Sequence, residues 1–89
     1  MFYTYIIYSK TVNKYYVGAS ENPQERLKKH NFKNGGFTNQ ASDWEIVFLQ
    51  SFSTKSESLF FEKQIKAWKS RKKIEKLVET YSFSEHPNA

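Results

Sequence analysis

Two runs of strand-favouring residues, split by four turn residues and followed at once by a capped helix, limit how this chain can begin to fold. Residues 2–9, Phe-Tyr-Thr-Tyr-Ile-Ile-Tyr-Ser, are almost all β-branched or aromatic, as a strand prefers. Lys10-Thr11-Val12-Asn13 is a hairpin connection, and Lys14 to Gly18 resumes as a second strand. Asn22 is placed to cap a helix, with Pro23 at its first position and Glu25 where a capping box needs an acid. That helix runs to about His30. Side chains alternate along a strand. Any register that sets odd positions of the first strand against even positions of the second therefore puts Tyr5 and Tyr16 on one face. Arg26 and His30, four apart, share a helix face, while Leu27 lies on another side and can pack on the sheet.

Phe32 to Asp43 contains Gly35-Gly36 and shows no hydrophobic period, so it reads as a loop, long enough to contact a ligand. Trp44 to Phe52 is a third strand. Thr54 with Glu57 forms a second capping box, and Phe61, Ile65 and Trp68 make the apolar stripe of the helix it opens. Glu62 falls beside that stripe, on the side of Ser58 and Lys66. Ser70 caps a third helix with Ile74, Leu77, Val78 and Tyr81 on its apolar face. The order ββαβαα implies an α/β (α+β) fold: a three-stranded, mainly antiparallel sheet flanked by helices. Residues 1–81 form the domain and 82–89 a flexible tail.

Composition narrows the chemistry. Eighty-nine residues make one small domain with a modest core. There are no cysteines and only two histidines, which excludes disulfides and thiol chemistry and argues against structural zinc. Any metal would be a hard, oxygen-liganded ion such as Mg²⁺ or Mn²⁺. No apolar run is long enough to span a bilayer, and the first residues do not read as a signal peptide. The expectation is a cytoplasmic protein. Fourteen Lys+Arg against nine Asp+Glu give a net charge of +5, which favours a polyanionic partner: nucleic acid first, an anionic surface second.

Seven of those cations crowd into one block: Lys63, Lys66, Lys69, Arg71, Lys72, Lys73 and Lys76. Arg71, Lys72 and Lys73 begin a helix, where the macrodipole disfavours each by a few tenths of a kcal/mol. A ridge that contacts nucleic-acid phosphates would offset that cost, and a solvated face is the plainer alternative. Glu62, at the rim of an apolar stripe, is better placed than most helical glutamates to hold a metal against a phosphate.

Taken together, these residues resemble the GIY-YIG nuclease superfamily, in particular small single-domain members related to the amino-terminal domain of the excision-repair incision subunit. Thr4-Tyr5-Ile6 resembles the first signature motif, with its tyrosine kept and its glycine replaced. Tyr16-Val17-Gly18 resembles the second. Arg26 and the His30-Asn31 pair match the helix motif, Glu62 matches the metal-binding glutamate, and the run from Glu62 to Lys73 is similar to the small-member signature. The resemblance covers about residues 2–78. It departs from the family in having no assignable asparagine after the glutamate (Asn88 has no surrounding match). Ala19 and Ser20 also stand where a basic residue follows the second motif.

The resemblance implies a DNA endonuclease, with DNA repair as its setting. Tyr16 would act as general base toward a water, Glu62 would hold one Mg²⁺ or Mn²⁺ ion, and Arg26 would stabilise the developing charge. Tyr5 and His30 would orient groups and share protons. A phenol near pKa 10 needs roughly 4 kcal/mol of differential stabilisation to reach neutrality, which a guanidinium, a second phenol and a metal can supply together. DNA would be held by its phosphate backbone with little sequence readout, leaving the chain either of low specificity or reliant on a protein partner for targeting. Two alternatives remain open: a nucleic-acid-binding module of the same fold that does not cut, and a domain whose ridge meets an acidic protein.

Overall fold

The computed structural model describes residues 1–32 and 40–83. Its elements follow the expected order: β1 (Phe2–Ser9), β2 (Lys14–Ser20), α1 (Pro23–Asn31), β3 (Glu45–Phe52), α2 (Lys55–Trp68) and α3 (Arg71–Phe83). The sheet order is β2-β1-β3 and both pairings are antiparallel, so β1 is central while β2 and β3 are edges. The third strand starts one residue later than expected, because the buried Trp44 is tied to α1 before pairing begins. Asn31 Oδ1 accepts from the Trp44 N–H at 2.8 Å, and its Nδ2 donates to the Trp44 carbonyl at 3.1 Å. Most of the expected loop and of the expected tail lies outside the described residues.

The caps show why the helices begin where they do. Thr54 and Glu57 form the full reciprocal box at the start of α2. At α1 only half of the expected box forms. Asn22 Oδ1 accepts from the Glu25 N–H at 3.3 Å, while the Asn22 N–H donates to Ser20 Oγ at 2.9 Å and needs no carboxylate. Ser70 caps α3 through the Lys73 N–H.

The sheet is covered on both faces. Tyr5, Ile7 and Trp44 are buried on one, with Leu27 of α1 packed against them. Ile6, Val17 and Phe48 are buried on the other. There Phe61, Ile65 and Trp68 of α2 meet Ile74, Leu77, Val78 and Tyr81 of α3. Ile65 has no exposed surface, a burial that contributes about 1.5–3 kcal/mol. Between α2 and α3 the chain turns through Lys69, whose φ of 47° is left-handed. Glycine is the usual residue at such a cap, and a side chain there costs roughly 1–2 kcal/mol.

Candidate active site at the edge of β2

Gly18 explains how Tyr5 reaches the sheet edge. Tyr5 pairs with Gly18 in the β1–β2 ladder, and its ring lies across the space a side chain would fill. A Cβ on Gly18 would meet the Tyr5 hydroxyl oxygen at 2.5 Å. The missing side chain therefore lets a buried phenol cross β2. The register also confirms that Tyr5 and Tyr16 share a face, since Ile7 pairs with Tyr16 one step along.

His30, at the end of α1, sits between the two phenols. Its Nε2 shares a hydrogen bond of 3.0 Å with the Tyr5 hydroxyl, and its ring centroid lies 5.1 Å from that of Tyr16. Burial, with the Arg26 charge adding to it, lowers the His30 pKa, so the imidazole is held neutral. Burial also pushes the Tyr5 phenol up to about 12, against the opposing pull of the nearby Arg26 guanidinium. Tyr5 is therefore a fixed neutral phenol, suited to sharing a hydrogen bond and unsuited to being the base. Tyr16 is only half-buried and can meet a substrate.

The fifth residue arrives from the opposite face. Glu62 on α2 is within electrostatic reach of Tyr5, and its carboxylate binds the Lys66 ammonium at 2.8 Å. Lys66 Nζ in turn lies 5.5 Å from the centre of the Tyr16 ring. The five residues named from the sequence thus come from β1, β2, α1 and α2 to one edge of the sheet, and Lys66 joins them. Beside them a groove of about 320 Å³ runs between α1 and α2, with Arg26, Ser20, Asn22 and Ser58 in its lining.

Among the described residues no group of three or more acidic or histidine side chains converges, which excludes an all-protein metal cage there. The carboxylate that a metal at this edge would meet is that of Glu62, with 16% of its side chain exposed. Such a donor fits Mg²⁺ or Mn²⁺, which keep several waters and take their remaining ligands from substrate phosphate.

The basic block divides in two. Lys63, Lys69, Lys72, Lys73 and Lys76 are exposed and have no ion-pair partner among the described residues, whereas Lys66 is held by Glu62. Arg71 is engaged inside the molecule. Its Nη1 donates to the Asn13 carbonyl and its Nη2 to Asn13 Oδ1, both at 2.7 Å, while its Nε donates to Glu75 at 2.8 Å. Its guanidinium also covers the Tyr15 ring. The turn clamp accounts for a cation at the start of α3 without any phosphate.

Three contributors had no assigned role in the sequence reading. Gly18 clears the path for Tyr5, and Asn31 fastens the helix that carries His30. Asp43 accepts from Ser9 Oγ, the Thr11 N–H and Thr11 Oγ1, holding the hairpin turn against the start of β3. Gly18 carried a signal as a glycine inside a strand, and Asn31 as the partner of His30 in the helix motif; Asp43 carried none.

Residues 1–75 match the family described as the GIY-YIG catalytic domain. The UPF0213 protein SSP2268 of Staphylococcus saprophyticus is 32% identical over 78 residues, spanning 86% of this chain and 94% of its own length. No solved structure matches the chain.

Proposed function

Because the chain belongs to the GIY-YIG family, a family of nucleases, we propose that it is a divalent-metal-dependent endonuclease that hydrolyses DNA phosphodiester bonds at the β2 edge. The observation that carries the reading is the convergence of two phenols, a guanidinium, a neutral imidazole and one half-buried carboxylate from four separate elements. A site that only bound phosphate would need none of the phenols and would be weakened by the carboxylate.

Each group has a task that its surroundings support. Tyr16, the accessible phenol, releases its own proton to solvent and as the phenolate takes the proton of the attacking water, with the Lys66 ammonium placing positive charge against its ring. Tyr5 and His30 form the fixed hydrogen-bonded pair behind it. Arg26, exposed beside Tyr5, faces the charge that develops on the phosphoryl oxygens. Glu62, the half-buried carboxylate at this edge, is the residue that would hold a divalent ion. When bound, such an ion supplies charge stabilisation and helps to generate the nucleophile. The exposed lysines of α2 and α3 offer phosphate contacts that position a strand without reading sequence.

The test is cleavage of nicked, branched and single-stranded DNA by purified protein with Mg²⁺ or Mn²⁺, beside Tyr16→Phe and Glu62→Gln. Wild-type protein should cut. Either substitution should lower the rate by about 10²-fold or more while DNA binding persists. Binding without metal-dependent cleavage, or equal rates for all three proteins, would leave a binding module and overturn the assignment.

A further inference from the structure

A second groove, of about 380 Å³, opens on the other side of Tyr16. The half-buried Tyr15, Tyr16 and Ile74 give its apolar wall, over a floor of buried Val17 and Ile65, and Lys66 and Lys69 bring two cations to it. We propose that this groove is a nucleotide subsite, in which the apolar wall takes the sugar of the residue next to the scissile bond and Lys69 binds its phosphate. The inference rests on the strand-cutting reading above and adds where the strand leaves the site.

Continuity comes first. Tyr16 and Lys66 belong both to the groove and to the β2-edge site, so a strand with its phosphate at Tyr16 has this groove as its next neighbour. The chemistry of the groove is the second point. An apolar wall with cations beside it matches a unit that is itself an apolar sugar face with an anionic phosphate. Lys66 lies against Glu62 and the Tyr16 ring, whereas Lys69 is exposed with no ion-pair partner among the described residues and can meet the phosphate without giving up an internal contact.

The third point is independent of the groove. Lys69 occupies a left-handed backbone position, φ 47°, at the C-terminal cap of α2, where glycine would be less strained. Its side chain makes no hydrogen bond or ion pair among the described residues that would offset the strain. A ligand contact supplies a reason for the lysine that the folded chain does not, in the way strain collects at binding sites.

These points predict opposite signs for stability and binding in one substitution. Lys69→Gly should raise the Tm by about 3 °C, because it relieves the left-handed strain. It should also weaken binding of a single-stranded 12-nucleotide oligonucleotide by about 3- to 10-fold. The slope of log affinity against log salt should fall by about 0.7–1, the loss of one phosphate contact. Lys69→Asn, which tolerates the left-handed region, should reproduce the binding loss without the full gain in Tm. Anisotropy titrations over a salt series, with calorimetric melting of the same samples, give both readings.

Unchanged affinity and salt slope in Lys69→Gly would overturn the subsite, whether or not the wild type cuts DNA. An equal loss of affinity for poly-glutamate would overturn it too, by making Lys69 a general cation. If wild-type protein fails to cut while the Lys69 variants lose one phosphate contact, the nucleotide-binding groove stands and its place beside a scissile bond falls with the catalytic reading.

Discussion

The hairpin carries two tyrosine–arginine clusters, one on each face, built from nearly the same parts and arranged for different ends. On the α3 side, Tyr8 and Tyr15 pair directly across the strands with ring centroids 4.7 Å apart, and Arg71 covers Tyr15. The Tyr8 hydroxyl donates to Asn13 Oδ1, and Arg71 spends its fork on Asn13 and Glu75. The partners of this guanidinium and of the Tyr8 hydroxyl all lie within the chain. On the α1 side, Tyr5 and Tyr16 are offset by one ladder step, with His30 between them and Arg26 exposed beside Tyr5. Here the phenol of Tyr16 is half-buried, the Arg26 guanidinium is exposed, and the Glu62 carboxylate on α2 lies within electrostatic reach of Tyr5. Composition does not separate a structural cluster from a reactive one. What separates them is the company the rings keep: the Asn13 turn and Glu75 on one side, an imidazole and the Glu62 carboxylate on the other.

The arginines should therefore fail in opposite ways. Arg26→Ala is expected to lower the cleavage rate by about 10²- to 10³-fold, as loss of a charge stabiliser does, with the Tm nearly unchanged because the side chain is exposed. Arg71→Ala should lower the Tm by a few degrees and leave the rate of the folded protein within about twofold. Single-turnover kinetics beside thermal melts measure both, and a rate collapse in Arg71→Ala would erase the distinction.

Gly18 offers the next test, because it belongs to only one cluster. A Cβ there meets the Tyr5 ring at 2.6 Å and its oxygen at 2.5 Å, and the Tyr5 side chain is fully buried. Gly18→Ala should cost about 1–3 kcal/mol in denaturant unfolding and shift Tyr5 off His30. Cleavage should fall even where the variant remains folded. Full activity in a stable Gly18→Ala protein would mean that the path of Tyr5 over β2 has no bearing on the chemistry.

The smallest expected effects are acid titrations, which separate the clusters by pH window. In the folded chain burial holds the His30 pKa below its ordinary 6.5, so the unfolded chain binds a proton first. The stability due to a neutral His30 is present above pH 6.5 and lost as pH falls through the lowered value. Asp43 behaves likewise around the turn. Hydrogen bonds from Ser9 and Thr11 hold its pKa below the ordinary 3.8, so its contribution is present above that pH and lost only in stronger acid. Melts from pH 8 to 3 should show two separate losses, the first flattened by His30→Gln and the second by Asp43→Asn.

Much of the fold was legible because the signals were local. Alternation placed Tyr5 and Tyr16 on one face, the Thr54–Glu57 box opened α2 where expected, and helical spacing put Glu62 with Ser58 and Lys66. The hidden parts depend on tertiary geometry. Arg71 meets Asn13 across 58 residues, and only because Asn13 takes a left-handed φ of 55° that turns its carbonyl and amide toward α3. From the sequence alone, Arg71 was indistinguishable from the lysines beside it. His30 shared a helix face with Arg26 in the sequence, but its place between the phenols required the packing of α1 on the sheet.

The most direct measurement uses two adjacent phenols on β2, one from each cluster. Single-turnover cleavage of labelled DNA in Mg²⁺ should be compared for Tyr16→Phe and Tyr15→Phe at matched folded fractions. The account predicts a loss of about 10²-fold or more for Tyr16→Phe, with Tyr15→Phe within about twofold of wild type. Equal losses in the two variants, or a Tyr16→Phe protein that cuts as fast as wild type, would contradict it.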